Sequence, residues 1–230
     1  MENRTKNHIR LTAIQKLIGE RMLASKRSKP CFYIHCQADV TELMKLRPKL
    51  RKSLGVKITT NAFYIRALAS AALKYPLVLG VVDGDSIKIA DEVNVGFAVN
   101  APQGLMVPVI KNADRKTLVE IAAVEKLLTD KARSNKLTLQ NLEGETIAMS
   151  NLGAYDIDSF VGIVPPPVST IISVGNIVEE VVVRNGKMQK RKTVSLTAAA
   201  DAGVVNEIYA SKFLRFIVEL LQGPQQLVGD

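Results

Sequence analysis

The 230-residue sequence has no tryptophan, two histidines, two cysteines and an aromatic content of 5%. It also lacks any apolar run near the roughly 18 residues that a membrane-spanning helix needs. The first residues contain no apolar stretch of the kind found in a signal peptide. These absences argue against a membrane protein and lead us to expect a cytoplasmic location.

The two cysteines, Cys31 and Cys36, lie five positions apart in a segment that predicts a strand. Successive side chains of a strand point to opposite faces, so this odd spacing separates the two thiols and disfavours a disulfide. Free thiols are typical of a reducing compartment. Together with His35 the cysteines supply too few ligands for a zinc site, and we expect no metal.

Positive charge is what the chain has in excess: 31 Lys and Arg against 22 Asp and Glu give a net charge of +9. Nucleic-acid-binding domains concentrate such charge on one face, often with aromatic residues between the cations. The basic residues here are scattered, so we expect no nucleic-acid partner. A net positive charge would also attract an anionic ligand or an acidic protein surface, and the charge alone does not distinguish these partners.

Hydrophobic residues make up 47% of the chain, enough for a sizeable core. Hydrophobic spacing and turn residues predict helices that alternate with short strands. The helices are predicted at about 12–28, 41–53, 61–75, 117–134 and 208–221. The strands are predicted at about 31–40, 77–82, 86–90, 93–100, 105–110, 145–149, 169–174, 178–183 and 187–199. Hairpins interrupt the alternation, so we predict one α/β domain, a two-layer sandwich with a mixed sheet, over residues 9–230 after a flexible tail of residues 1–8.

Some boundaries carry specific signals. Thr12 with Gln15, and Thr117 with Glu120, have the spacing of capping boxes at helix starts. Asn185-Gly186 is typical of a type I′ hairpin turn. A proline inside 41–53 weakens the prediction of that helix.

Several short motifs occur in a fixed order along the chain. They are Glu20-Arg21-Met22, Pro30-Cys31-Phe32-Tyr33, Val93-Asn-Val-Gly96-Phe-Ala-Val, Gly104-Leu-Met-Val-Pro108-Val-Ile, Thr146-Ile-Ala-Met-Ser150-Asn151-Leu152-Gly153 and Leu196-Thr-Ala-Ala-Ala-Asp201-Ala202-Gly203-Val-Val-Asn206. In this order they resemble the catalytic core of the dihydrolipoamide acyltransferases of 2-oxo acid dehydrogenase complexes. The resemblance covers nearly the whole chain and implies the fold of chloramphenicol acetyltransferase.

The last motif departs from the family at its central positions. The family signature reads Asp-His-Arg-x-x-Asp/Asn-Gly, and Asp201 and Asn206 fit it. Ala202 stands at the histidine position, Gly203 at the arginine position and Glu207 at the final glycine position. Three of the seven signature positions are therefore changed together, which argues against a chance error at one of them.

The resemblance also implies roles for the positions that remain. In the family, the signature histidine is the base that takes the thiol proton. The serine at the Ser150 position donates its hydroxyl to the oxyanion in the neighbouring subunit's half of the site, and the residue at the Asn206 position helps to organise the site. Ser150 and Asn206 are therefore the expected catalytic residues, and the base position is vacant at Ala202.

Two side chains could substitute for the missing base. His35 lies in phase with Tyr33 on a predicted strand, in a region on which family sites draw; a hydrogen-bonded strand histidine is the plainer interpretation. Glu207 adds a carboxylate five residues after Ala202, and a solvated charge at a helix N-terminus is the plainer interpretation there. The only other histidine, His8, falls in the predicted tail.

The resemblance implies coenzyme A as one substrate and, as the other, a lipoyl group supplied by a partner domain. It implies a homotrimer, which in the family often assembles into larger cages with lipoyl-bearing and dehydrogenase subunits. A positioned base contributes about 10²–10⁴-fold to a rate, whereas an unaided thiol is only a few per cent thiolate at neutral pH. We therefore predict a trimeric scaffold with impaired or absent acyl transfer. The alternatives are an active acyltransferase with another base and a coenzyme A-binding or docking module.

Overall fold

A computed structural model describes residues 10–11, 13–184 and 186–228. The helices are α1 (Ala13–Ser28), α2 (Thr41–Leu54), α3 (Thr60–Lys74), α4 (Leu118–Arg133) and α5 (Glu207–Gln222). The strands are β1 (Cys31–Asp39), β2 (Gly80–Asp83), β3 (Ser86–Ile89), β4 (Val95–Phe97), β5 (Val99–Ala101), β6 (Gly104–Met106), β7 (Val109–Ile110), β8 (Ile147–Asn151), β9 (Thr170–Arg184) and β10 (Lys187–Asp201). Across these described ranges, no helix is long and apolar enough to cross a membrane.

One mixed sheet of six strands organises the domain, in the order β1-β10-β9-β8-β4-β7. Strand β8 runs parallel to its neighbours β4 and β9, and the other pairs are antiparallel. The remaining strands form two small hairpins, β2 with β3 and β5 with β6. The mixed sheet with its packed helices confirms the predicted α/β fold class.

The two faces of the sheet are covered differently. On the helix face, strand residues such as Met149 join the main core with Phe63 of α3 and Phe213 of α5, both fully buried. On the loop face, a smaller cluster forms beneath residues 157–168, which we call the crossing segment. The Oγ atom of Ser25 donates a hydrogen bond to the carbonyl oxygen of Val164 at 2.5 Å, so the end of α1 holds the crossing segment.

The two cysteines lie on opposite faces, as predicted. Cys31 packs against the smaller cluster on the loop face, and Cys36 packs against the main core on the helix face. Both are free thiols. Their separation by the sheet itself explains why no disulfide joins them.

Four of the predicted strands were wrong in extent. Segments 93–100 and 105–110 each divide into two strands, because β4 and β7 belong to the main sheet while β5 and β6 form a separate hairpin. Segments 169–174 and 178–183 are instead one strand, β9. Gly175 lies within it, and a Cβ atom there would collide with the carbonyl oxygen of Asp158. This glycine therefore admits the crossing segment rather than ending the strand.

The helix predictions agree with the structure within two residues at each described end. Helix α2 forms despite Pro48. The capping box of α4 is present: the N–H of Glu120 donates to Oγ1 of Thr117, and the N–H of Thr117 donates to the Glu120 carboxylate. Thr12 of the other predicted capping box, Asn185 of the predicted turn and the tail 1–8 lie outside the described residues, so those interpretations stay predictions.

Candidate functional site

The turn between β10 and α5 is shaped mainly by its own main chain. The buried carboxylate of Asp201 accepts a hydrogen bond from the N–H of Gly203 at 2.9 Å. The N–H of Ala202 donates to the carbonyl oxygen of Pro30 at 3.0 Å, which ties the turn to the start of β1. The side chain of Ala202 is exposed. A side chain at this position therefore faces solvent in the single chain and takes no part in holding the turn.

Asn206 closes this turn by capping α5. Its side-chain oxygen accepts a hydrogen bond from the N–H of Tyr209 at 2.9 Å, which satisfies one of the unpaired donors at the helix start. Glu207 follows in the first turn of α5 and is exposed, where its negative charge favours the positive end of the helix dipole. Asn206 therefore holds the turn through a hydrogen bond, whereas the side chain of Glu207 makes no contact with the turn.

A row of four polar residues crosses the loop face. The strand register pairs Ser150 of β8 with Ser173 of β9, Ser173 with Thr197 of β10, and Thr197 with His35 of β1. Directly paired residues place their side chains on the same face. Nδ1 of His35 lies 3.1 Å from Oγ1 of Thr197, and Oγ of Ser173 accepts a hydrogen bond from the N–H of Gly162 at 2.9 Å. The row therefore runs from Ser150 to His35 with the crossing segment against its middle.

A cavity of about 340 Å³ lies at the His35 end of this row. Its lining combines the exposed face of β1 with the crossing segment and comprises Tyr33, Ile34, His35, Ser159, Phe160, Val161 and Thr197. In the strand register Tyr33 pairs with Ala199 and His35 with Thr197, which confirms the prediction that the two side chains lie on one face. The hydrogen bond to Thr197 makes His35 a hydrogen-bonded strand histidine at the edge of an open cavity.

The fold does not bring the predicted site residues together within one chain. Strands lie about 4.8 Å apart and rise about 3.3 Å per residue. On the register, Ser150 is therefore roughly 19 Å from Ala202, and His35 is roughly 17 Å from it. Only Asn206 and Glu207 share the turn with Ala202.

Lys29 follows α1 and lies beside the turn, and no motif in the sequence predicts its role. Its Nζ donates hydrogen bonds to the carbonyl oxygens of Pro167 and Val168 in the crossing segment. Burial lowers the pKa of Lys29, although the nearby carboxylate of Asp201 acts against that shift. Burial raises the pKa of the Cys31 thiol, and Asp201 adds to that shift.

No group of three or more His, Cys, Asp and Glu side chains that could hold a metal ion occurs among the described residues.

Comparison of sequences places the chain among known proteins. It matches the family model of the 2-oxoacid dehydrogenases acyltransferase (catalytic domain) over residues 3–229. It is 34% identical over 215 residues to the dihydrolipoyllysine-residue acetyltransferase component of the pyruvate dehydrogenase complex of Rickettsia bellii, covering 92% of this chain and 51% of that protein. It is 32% identical over 219 residues to the mitochondrial pyruvate dehydrogenase protein X component of Mus musculus, covering 93% and 44%. The chain spans about half the length of the curated relatives it matches.

Solved structures show the same fold. A probable dihydrolipoamide acetyltransferase from Listeria monocytogenes superposes with a TM-score of 0.91 at 30% identity, over 95% of each chain. The dihydrolipoamide acetyltransferase of Azotobacter vinelandii, studied for the catalytic roles of a serine, a histidine and an asparagine, superposes with a TM-score of 0.92 at 27% identity, over 97% and 94%. At 13% identity and a TM-score of 0.53, chloramphenicol acetyltransferase shares the fold.

The mixed sheet and the packing of its helices thus define a domain with the chloramphenicol acetyltransferase fold. Within that class, the match of the family model over nearly the entire chain is decisive. The chain belongs to the 2-oxoacid dehydrogenase acyltransferase family and corresponds to its catalytic domain.

Proposed function

We propose that this chain serves as a trimeric scaffold domain of a 2-oxo acid dehydrogenase complex in which acyl transfer between coenzyme A and lipoyl thiols is impaired or absent. The observation that carries the proposal is the methyl side chain of Ala202 on an otherwise well-formed turn. The same turn retains the buried carboxylate of Asp201 and the helix cap of Asn206.

The spacing of residues supports the assignment of Ala202 to the base position. In the Azotobacter vinelandii enzyme the studied serine precedes the histidine by 52 positions, and the histidine precedes the asparagine by four. Ser150, Ala202 and Asn206 are separated by the same two intervals. We infer that Ser150 and Asn206 correspond to the serine and the asparagine, and that Ala202 takes the place of the histidine.

The chemistry explains why this one position matters. Transfer of an acyl group between two thiols needs a base for the attacking thiol and a hydrogen-bond donor for the tetrahedral oxyanion. Ser150 has the hydroxyl for the second task. Alanine has no group for the first, and the loss of a positioned base costs about 10²–10⁴-fold in rate.

The separation of Ser150 from the turn supports a site that is shared between subunits. A hydroxyl roughly 19 Å from residue 202 of its own chain cannot act on the same acyl group. A homotrimer in which Ser150 faces the turn of a neighbouring subunit would restore the arrangement that the family resemblance implies. Coenzyme A and a lipoyl group carried by a partner subunit would then approach at that boundary.

One relative supports the idea that a member of this family can have a role other than acyl transfer. The mouse protein is named as a component of pyruvate dehydrogenase, protein X, and its name does not include a transferase activity. Assembly into larger cores is supported by the likeness to the cubic core of the pyruvate dehydrogenase multienzyme complex, which superposes with a TM-score of 0.92 at 28% identity.

A second candidate function is an active acyltransferase that uses His35. Its support is the cavity of about 340 Å³ beside this imidazole and the hydrogen bond between His35 and Thr197 that orients the ring. Glu207 has less support as a base, because it is exposed on α5 and none of its contacts aims it at the turn.

The decisive experiment measures acyl transfer from acetyl-coenzyme A to dihydrolipoamide. We expect the purified chain to show no transfer above background. The double variant Ala202→His with Gly203→Arg should raise the rate by about 10²–10⁴-fold, and adding Ser150→Ala to that variant should remove the gain. Full activity of the unmodified chain would contradict the proposal.

Two further measurements separate the remaining alternatives. Light scattering should give the mass of a trimer or of a multiple of a trimer. Calorimetry with coenzyme A tests the binding-module alternative, since heat of binding without turnover is expected of a domain that binds coenzyme A but has no base.

A further inference from the structure

A cavity of about 390 Å³ lies between the end of α3 and the exposed face of α5, and we call it the α3–α5 cavity. Its lining combines aromatic rings with charged side chains and comprises Lys74, Tyr75, Ser211, Lys212, Arg215, Phe216 and Glu219. The five members from α5 recur three or four positions apart, so they share one face of that helix. The opposite face of α5, with Leu214 and Val218, is buried in the main core. The cavity is therefore a feature of the outer surface.

Aromatic packing holds the floor of the α3–α5 cavity in place. The ring of Tyr75 packs at a steep angle against Tyr209 and Phe213, with centroid separations of 5.6 and 6.4 Å. Its centroid lies 6.0 Å from that of Phe216. The hydroxyl oxygen of Tyr209 accepts a hydrogen bond from the N–H of Leu77 at 3.2 Å, just beyond α3. Tyr75 and Phe216 are thus half-buried rings in fixed positions, which a bound apolar side chain can contact at little cost in ordering.

Three cations surround these rings. Nζ of Lys74 lies 3.9 Å from the centroid of the Phe216 ring, and Lys212 and Arg215 are exposed on α5. Nε of Arg215 lies 3.6 Å from Oε1 of Glu219. In the part of the chain that the structure describes, neither Lys74 nor Lys212 takes part in an ion pair. Positive charge therefore exceeds negative charge around the cavity, which favours an anionic partner.

An ordinary solvent-exposed helix face explains only part of this arrangement. Long basic side chains often lie along apolar surface while their charge stays in water, and this accounts for the position of Lys74 over Phe216. It does not account for an open volume with two half-buried rings at its floor and two unpaired lysines at its rim. Protein interfaces commonly have this anatomy, with aromatic anchors at the centre and polar groups around them.

We propose that the α3–α5 cavity docks an acidic segment of a partner protein. Carboxylates of that segment pair with Lys74, Lys212 and Arg215, and one of its apolar side chains packs against Tyr75 and Phe216. Charge complementarity selects an acidic partner. The aromatic floor favours a polypeptide over a small inorganic anion, which would bury no apolar surface there.

Docking at this cavity is independent of acyl transfer, because none of its lining residues belongs to the turn from Asp201 to Asn206 or to the row that contains Ser150. It adds to the scaffold role a surface that would recruit another protein. A negative result at one site therefore leaves the proposal for the other site unchanged.

The test is fluorescence anisotropy with the labelled peptide Ser-Glu-Phe-Asp-Glu-Leu-Asp-Ser, titrated with the full chain at low ionic strength. One control peptide has amides in place of all its carboxylates, and the other has serine in place of its Phe and Leu. We expect the parent peptide to bind and each control to bind roughly tenfold more weakly or less, since each lacks either the charge pairs or the apolar contact. High salt should weaken binding of the parent peptide because it screens exposed charges.

Variants locate the binding on the protein. Lys212→Glu reverses one charge of the cavity without changing its aromatic floor, and it should weaken binding of the parent peptide roughly tenfold or more. Lys136→Glu, at an exposed position after α4, changes the net charge equally and should bind as the wild type does. Lys74→Glu is a second variant of the cavity, with the same expected loss, in case Lys212→Glu does not fold.

Four results would overturn the proposal. They are no binding of the parent peptide to the wild type, equal binding of the parent peptide and the amide control, equal binding of the parent peptide and the serine control, and equal losses in Lys212→Glu and Lys136→Glu. Light scattering interprets the first of these results. A lower assembled mass in Lys212→Glu than in Lys136→Glu would then show that a second copy of this chain, and not an acidic segment of another protein, covers the cavity.

Discussion

His35 and Thr197 face each other across β1 and β10, and Nδ1 of the imidazole lies 3.1 Å from Oγ1 of the hydroxyl. This contact fixes one ring nitrogen and leaves the ring at the edge of a cavity on the loop face. The hydrogen bond holds the imidazole of His35 in one orientation. To act as a base, His35 would have to lie beside the reacting thiol, and it is roughly 17 Å from residue 202, the base position, in the same chain.

Replacing His35 tests that point. We expect His35→Gln, whose amide can keep a hydrogen bond to Thr197, to change any residual acyl transfer by less than about twofold. A positioned base would be worth at least about 10²-fold. Tyr33→Phe in the same cavity is the control for a change in shape. A fall of that size in His35→Gln alone would favour the active-enzyme alternative.

Removing the cap of α5 should weaken the turn at residue 202. Asn206→Ala loses the bond to the N–H of Tyr209 and should lower the free energy of unfolding by about 1 kcal/mol. Asn206→Asp keeps an acceptor and should retain most of the stability. Glu207→Ala, one position on and exposed, is the control and should change stability by about 0.5 kcal/mol or less. Urea unfolding measures all three, and an equal loss in Asn206→Ala and Glu207→Ala would contradict the capping role.

Glu125 should make stability depend on pH. Burial raises the pKa of its carboxyl above the ordinary value of 4.5, against the opposing effect of the hydrogen bonds from Thr59 and Asn61. The folded state then holds a proton that the unfolded state releases. Stability therefore falls as the pH rises from about 4.5 through the raised pKa and is level above it.

Urea unfolding across this pH range, compared with Glu125→Gln, isolates the effect from that of other acids. We expect the wild type to lose stability relative to the variant as the pH rises. A constant difference between the two proteins would show that the pKa of Glu125 is not raised in the folded state.

The helix-face core should tolerate truncation poorly. Phe213 of α5 is fully buried in the main core, and Phe213→Ala should lower the free energy of unfolding by about 3–5 kcal/mol. Met188 in β10 is 80% exposed, and Met188→Ala should change it by about 0.5 kcal/mol or less. Chemical unfolding of both variants checks the contrast, and losses of similar size would contradict this assignment of the core.

Much of the fold was predictable because local signals agreed with the tertiary structure. The capping box at Thr117 marked the start of α4, and the alternation around Cys31 and Cys36 assigned their faces. The errors fell where tertiary contacts override local pattern. Gly175 looked like the end of a strand, but it is the point at which the crossing segment approaches β9. No local pattern shows that β4 and β5 belong to different sheets.

The candidate site was predictable in its parts but not in its arrangement. The motifs predict Ser150 and Asn206 as site residues, and only the strand register shows that Ser150 lies in one row with His35 and far from the turn. The burial of Glu125 could not be predicted from the sequence, because a glutamate in an amphipathic helix ordinarily indicates a solvent-exposed position. Its burial results from the packing of α4 against the start of α3, which depends on residues distant in sequence.

The turn from Asp201 to Asn206 takes its shape from main-chain hydrogen bonds and from the side chains at its two ends. The exposed Ala202 methyl group takes no part in that shape, so a substitution at position 202 should be nearly neutral for folding. At Gly203 a Cβ atom would lie 3.2 Å from Oδ1 of Asp201, so a side chain there requires the carboxylate to shift slightly. A lineage could therefore exchange the side chain at position 202 through a few nucleotide changes without passing through an unstable ancestor.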